Sequence, residues 1–114
     1  MMRTLLKSKI HNATVTESQL EYVGSITIDE TLMDKADLWE GEQVLVANKA
    51  NGKRLITYVM KGKRDSGIIC MNGAAAHLVK KGDQVIIMAF VLSDAIIKPH
   101  KILVDTNNKF VRYL

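Results

Sequence analysis

The sequence predicts a small, mainly β domain, a barrel or sandwich with short helices, and three observations lead there. Its 114 residues suffice for one domain with a single modest core. Runs rich in β-branched residues are punctuated by single glycines (Gly24, Gly41, Gly52, Gly62, Gly67, Gly73, Gly82), and the lone proline, Pro99, leaves no linker to divide the chain. With 47% hydrophobic and 25% charged residues, the composition is that of an ordinary globular protein.

Taken in order, strands are expected near residues 3–9 and 13–16, and a third over 20–28, where Tyr22, Val23 and Ile26-Thr27-Ile28 favour extended backbone. A helix over about 30–38 follows Asp29 as N-cap; Ile28 and Met33 are spaced for a hydrophobic staple, and Leu32, Met33 and Ala36 form its buried face. Strands at 42–48 and 53–61 flank Asn51-Gly52, which predicts a hairpin with a type I′ turn, because that turn needs positive φ at both central residues. A strand at 67–71 leads to Asn72, the expected N-cap of a second helix over about 73–79. Strands at 83–92, 101–105 and 109–113 finish the chain, the last two joined by the weaker turn signal Asn107-Asn108.

A shift of 41 residues lays Gly41-Glu42-Gln43-Val44 on Gly82-Asp83-Gln84-Val85, Ile28 on Ile69, and one short helix on the other. Either the chain repeats one unit, or this is the common succession of helix, glycine cap and strand; periodicity alone does not separate the two.

The net charge of +4 is mild for a dedicated nucleic-acid binder. It is unevenly spread, −4 over residues 26–50 against +4 over 51–75. One cysteine, Cys70, forms no internal disulfide, and with His11, His77 and His100 scattered there is no zinc-ligand spacing, so no metal is expected. The longest apolar run, Val85–Leu92, is far short of a membrane span, and the first residues lack a signal-peptide core; a cytoplasmic protein is expected. A core this small also favours assembly with copies of itself.

Several residues could carry chemistry. Gly24-Ser25 lies inside an expected strand, where a glycine marks either a bulge or an unhindered carbonyl that the neighbouring hydroxyl could attack. Arg54 and Tyr58 share one face of their strand, offering a carboxylate fork beside a weak acid, or simply a solvated hairpin face, while alternation sends Thr57 to the other side. Lys9 and His11 share a face of the first strand. Asn72-Gly73-Ala74-Ala75-Ala76 gives a helix start without bulky side chains, open to a small anion or carbonyl oxygen unless it is only a tight cap. Cys70 and Met71 read as core.

The combination Lys9-x-His11, Tyr22-x-Gly24-Ser25-Ile-Thr-Ile-Asp29, Asn51-Gly52-x-Arg54-x-x-Thr57-Tyr58 and Asn72-Gly73-Ala74-Ala75-Ala76, in that order from about residue 3 to 92, closely resembles the pyruvoyl-dependent aspartate 1-decarboxylases. The resemblance implies a six-stranded double-psi β-barrel and a homotetramer with active sites between subunits, binding neither nucleic acid nor membrane. It also implies self-cleavage between Gly24 and Ser25 into chains 1–24 and 25–114. In that family Ser25 Oγ attacks the Gly24 carbonyl, the ester eliminates, and hydrolysis leaves a pyruvoyl group as the covalent cofactor. Thr57 then supports the rearrangement. L-aspartate condenses with the pyruvoyl carbonyl as a Schiff base, loses carbon dioxide and leaves as β-alanine for pantothenate synthesis. Tyr58 is implied as proton donor, Lys9 and Arg54 as carboxylate ligands, and Asn72, Gly73, Ala74, Ala75 and Thr57 as lining of the substrate site, with His11 and Tyr22 as further candidates. An accessory maturation factor is compatible with this scheme. Ala47 is smaller than the pocket-wall residue expected there, and the stretch after Ser93 carries no family residues across. The runner-up is a non-catalytic double-psi or swapped-hairpin barrel that binds nucleic acid or a partner protein through the basic 51–64 segment, which gives Gly24-Ser25 no role.

Overall fold

The computed structural model describes residues 1–114. The strands expected at 3–9 and 13–16 are one, β1 (Arg3–Thr14), bent by a register shift between Ile10 and Ala13 where Asn12 takes a left-handed φ of 67°. After β1 come β2 (Glu17–Gln19), β3 (Ser25–Asp29), α1 (Glu30–Ala36), β4 (Gln43–Asn48), β5 (Arg54–Gly62) and β6 (Ile69–Asn72). A 3₁₀ turn (Gly73–His77) then leads to β7 (Gln84–Ser93), β8 (His100–Val104) and β9 (Phe110–Tyr113). The order across the sheet is β2-β6-β3-β5-β4-β7-β1-β8-β9, with β2–β6, β3–β5 and β1–β8 parallel. The mainly β expectation holds.

Three local expectations are corrected. The strand expected over 20–28 begins only at Ser25, because Leu20, Tyr22 and Val23 have strand propensity but no partner strand and lie exposed. The second helix is a 3₁₀ turn of five residues, and Asn72 makes no side-chain cap to it; Gly73, at φ +69°, takes the chain off a helical path at once. The hairpin at Asn51-Gly52 forms, with Ala47 opposite Arg54, but without a type I′ turn. Only Gly52 is left-handed, its N–H donates to the Asn48 carbonyl (2.8 Å), and the Asn51 side chain accepts from Lys53 N–H (2.9 Å).

α1 forms where expected because Asp29 does more than cap it. Its buried carboxylate accepts the N–H groups of Thr31, Asp65 and Gly67, each at 2.9 Å, and so fastens the loop after β5 to the start of the helix. Leu32, Met33 and Ala36 are buried as read. The acidic and basic blocks of the sequence meet here: Arg64 bridges Asp34 (2.8 Å) and Glu30 (3.4 Å), and Lys61 approaches Glu30 (3.5 Å). The basic 51–64 segment is therefore partly neutralised by the helix, which weakens the case for a nucleic-acid face.

Strand pairing decides the repeat. A two-fold axis requires residues to pair with their own equivalents, and at the 41-residue shift Ile28 pairs with Ile69 and Val46 with Ile87, both antiparallel. The loop bonds repeat as well. Trp39 N–H donates to Glu42 Oε1 (3.0 Å) as Lys80 N–H does to Asp83 Oδ2 (2.9 Å). Gly41 and Glu42 brace Val59 through two backbone bonds as Gly82 and Asp83 brace Val15. The core gathers around this axis, with Ile10, Ile26, Ile28, Val44, Val46, Val59, Ile69, Met71, Val85 and Ile87 all buried.

Replacing Asp29 by alanine removes a helix cap and the charged acceptor for the N–H groups of Asp65 and Gly67. A loss of about 3 kcal/mol in unfolding free energy is expected from urea titration, and a variant within 1 kcal/mol of the parent, on the same rough scale, contradicts this assignment.

Candidate active site

β3 and β6 pair so that Ser25 lies opposite Asn72 and Thr27 opposite Cys70. Cross-strand partners share a face, so these four side chains form a small polar square. β2 extends it on the far side of β6, placing Gln19 beside Asn72 and Glu17 beside Cys70. Ser25 is the first residue of its strand and is 3% exposed. Asn72 Nδ2 donates to Ser25 Oγ at 2.8 Å and to Thr27 Oγ1 at 3.1 Å, while the Cys70 thiol donates to Asn72 Oδ1 at 3.2 Å. Burial, with Glu17 adding its charge, pushes the Cys70 thiol above its ordinary pKa and keeps it protonated.

Gly24 and Gly73 meet behind this square. A side chain at Gly73 would place its Cβ 2.8 Å from Gly24 Cα and 2.9 Å from both Gly24 N and the Tyr22 carbonyl oxygen, so the left-handed Gly73 is what lets the 3₁₀ turn lie against the chain entering β3.

Two clefts open on either side of the Gly24–Ser25 peptide. One, of about 490 Å³, has Ser25, Thr27, Cys70 and Asn72 on its floor, with Tyr22, Tyr58 and Lys61 around it. The other, of about 410 Å³, is lined by Gly24, Thr57, Ala74 and Ala75 together with Leu55 and Leu78. Tyr58 and Asn72 line both.

Thr57 and Tyr58 both reach the site although β5 is regular. Its pairing with β4 runs from Tyr58 to Arg54 without a shift, so alternation does put them on opposite faces. On the other side β3 pairs only from Val59 onward, leaving the 54–58 edge open to Gly24 and the Ala74-Ala75 turn. A free edge presents both faces to whatever lies alongside it.

Lys9, Arg54 and His11 lie elsewhere. None lines either cleft. Lys9 pairs with Met88 and Arg54 with Ala47 on the outer face of the β5-β4-β7-β1 sheet, whose exposed positions are largely apolar: Ile56 and Met60, which also border the clefts, and Phe90 and Leu92 beyond them. Lys9 and Arg54 have no carboxylate within ion-pair distance. His11 is held below the ordinary imidazole pKa by burial and by Lys9 and Lys49, and its Nδ1 is buried without a partner.

Residues 1–111 match the family described as Aspartate decarboxylase. The chain belongs to that family. It is 56% identical to the aspartate 1-decarboxylase of Pelotomaculum thermopropionicum over 115 aligned positions, covering 97% of this chain and 87% of the relative. To the aspartate 1-decarboxylase of Neisseria meningitidis serogroup C it is 55% identical over 113, covering 96% and 89%. For an aspartate decarboxylase, the geometry gathers most of the residues singled out in the sequence (Gly24, Ser25, Tyr22, Thr57, Tyr58, Asn72, Ala74 and Ala75) around one peptide bond. In the sequence no site role falls to Thr27, Glu17, Gln19 and Lys61, and Cys70 reads as core, where it is buried beside Asn72; the period-two spacing of Ser25 with Thr27 and of Cys70 with Asn72 is the available signal. No helix is long and apolar enough to cross a membrane.

Gly73→Ala and Gly52→Ala separate backbone conformation from collision. Both glycines are left-handed, but nothing lies within 4 Å of a Cβ at Gly52. Gly52→Ala is expected to cost about 1 kcal/mol in urea unfolding, and Gly73→Ala about 3 kcal/mol; equal costs would contradict the close approach of Gly73 to Gly24.

Proposed function

We propose that the protein is an aspartate 1-decarboxylase that matures by cutting its own chain between Gly24 and Ser25, giving chains 1–24 and 25–114, and then converts L-aspartate to β-alanine and carbon dioxide, feeding pantothenate synthesis. The observation that carries this reading is the buried hydroxyl of Ser25 at the head of β3, held at 2.8 Å by Asn72 Nδ2 directly after a glycine peptide. An N–H aimed at Oγ stabilises the negative charge that grows there as the hydroxyl becomes a nucleophile. Thr57, on the Gly24 side, supplies a hydroxyl for the oxygen that becomes charged at the Gly24 carbonyl.

The cofactor is a pyruvoyl group made from Ser25, and the residues present fit it: the serine is already buried, and the cradle that Gly73 leaves against Gly24 would be filled by any Cβ. Ser25 would carry the group and Asn72 would hold it. Its ketone supplies an electron sink for the pair left on Cα when the carboxylate departs. Around it, Tyr58 delivers a proton to substrate Cα as general acid, and the Ala74-Ala75 turn keeps the floor of the site free of bulk. Arg54 binds a substrate carboxylate through its fork, with Lys9 adding charge. The chain groups no three His, Cys, Asp or Glu side chains to hold a metal ion.

Lys9 and Arg54 line neither cleft and stand on a largely apolar outer face that borders them, which supports a homotetramer in which one subunit's Arg54 serves a neighbour's Ser25. Burying Ile56, Met60, Phe90 and Leu92 gives such an interface its apolar centre. The same reading takes the fold as a six-stranded double-psi β-barrel. In support, β1 and β2 are one run of chain, so the path β2-β6-β3-β5-β4-β7-β1 starts and ends on the same segment, with Thr16 N–H bonded to the Ile69 carbonyl (2.8 Å) at the join. β8 and β9 then lie outside the barrel. The reading places the enzyme in the cytoplasm, in keeping with its single free thiol, with maturation either unaided or helped by an accessory factor.

Ser25→Ala is expected to abolish release of labelled carbon dioxide from L-[1-¹⁴C]aspartate, and Arg54→Ala to lower kcat/KM about a hundredfold. Co-expressed, the two variants should regain activity that neither has alone. An active Ser25→Ala enzyme overturns the mechanism, and co-expressed variants no more active than Arg54→Ala alone overturn the shared site.

A further inference from the structure

Asn72 is the only residue that touches Ser25 Oγ by a side-chain hydrogen bond, and its carboxamide has two ends with opposite chemistry. With Nδ2 toward Ser25, the amide donates to Oγ and favours the charge that develops there; turned over, it would present Oδ1 and repel that charge. A hydroxyl accepts either end, so Ser25 alone does not select the orientation. The selection must come from the other partners of the amide.

Those partners are Thr27 and Cys70, which are opposite each other in the β3–β6 ladder, two residues along from the Ser25–Asn72 pair and on the same face. Thr27 Oγ1 takes the second Nδ2 hydrogen at 3.1 Å, and the Cys70 thiol donates to Oδ1 at 3.2 Å. Sulfur is a poor acceptor, so the turned-over amide would leave a strong N–H donor facing it in a buried site. That costs more than leaving a carbonyl oxygen facing a weak donor. The raised pKa of Cys70 keeps the thiol protonated, and of the two acceptors in its reach Asn72 Oδ1 at 3.2 Å is nearer than the Glu17 carboxylate at 4.0 Å.

We propose that the Thr27–Cys70 pair positions the Asn72 carboxamide, fixing its N–H₂ end on Ser25, and thereby sets the rate of self-cleavage at Gly24–Ser25. The proposal rests on the self-cleavage reading. Neither residue touches the scissile peptide: they act through Asn72 and are positioning residues, not catalytic ones. The chemistry of cleavage is unchanged; what the pair alters is the fraction of precursor whose Ser25 hydroxyl faces a donor.

The test follows cleavage of freshly purified full-length precursor by intact mass in the parent and in Cys70→Ala, Cys70→Val, Cys70→Ser and Thr27→Val. Cys70→Val keeps side-chain volume without the donor, so a slow rate there does not come from a cavity. Loss of one neutral hydrogen bond to the amide is expected to slow cleavage about threefold to tenfold in Cys70→Ala, Cys70→Val and Thr27→Val. Cys70→Ser places a hydroxyl, which accepts either end of the amide as Ser25 does, so it is expected to stay at least about twofold slower than the parent, whereas a packing or simple hydrogen-bond role would return the parent rate. If the alanine and valine variants cleave as fast as the parent, or serine restores the parent rate, the positioning role is overturned and self-cleavage stands. A parent precursor that stays whole overturns self-cleavage, and the positioning proposal with it.

Discussion

The structure turns on one pairing, Ser25 against Asn72 in the antiparallel ladder of β3 and β6. It fixes where β3 begins, which side chain meets the serine hydroxyl, and where the chain must turn next. Because Asn72 is the last residue of its strand, the backbone has to leave at once past Gly24, and only a glycine at position 73 clears it. The Ala74-Ala75 turn then forms the wall of the second cleft, and the free edge of β5 brings Thr57 and Tyr58 to the same place.

The scaffold that presents this pairing is duplicated, whereas the chemistry is not. At the 41-residue shift Ser25 corresponds to Ser66, but the residue before Ser66 is Asp65 rather than glycine, and Ser66 is exposed, its hydroxyl donating to the Lys63 carbonyl. Asn72 corresponds to Thr31, whose hydroxyl donates to the Asp65 carboxylate. One half of the repeat thus anchors a loop to α1 through Asp29, and the other holds a buried serine. A duplicated frame of this kind gives a short chain two rigid arms from one folding solution, leaving one free to carry a strained or reactive peptide.

Much of this was legible in the sequence, and the failures have physical causes. Local signals worked: the Asp29 cap, the helical face of Leu32, Met33 and Ala36, and the strands of the two hairpins depend on neighbours a few residues away. The strand expected through Gly24 failed because the β-propensity of Tyr22 and Val23 has no effect without a partner strand, and partners are chosen at long range. Asn72 looks like a helix cap in the sequence because its neighbours look like a helix start. Its amide was already committed to Ser25 and Thr27, 47 and 45 residues away in sequence. The role of Thr27 and Cys70 was hidden for the same reason, whereas Ser25, Tyr58 and Asn72 stand out from the residues alone, Thr57 comes with the family resemblance, and all four lie around one peptide. Lys9 and Arg54, singled out with them, line neither cleft, although Arg54 shares a face of β5 with Tyr58.

The central claim is that the Gly24–Ser25 peptide is the protein's first substrate. Intact mass of the purified, fully matured protein before and after treatment with a hydrazine probe tests it most directly. The account predicts two chains divided after Gly24, with the probe adding to residues 25–114 alone through a carbonyl at the new terminus. A single full-length mass that gains no probe after prolonged incubation, or a chain starting at residue 25 with an ordinary serine amine, would contradict it.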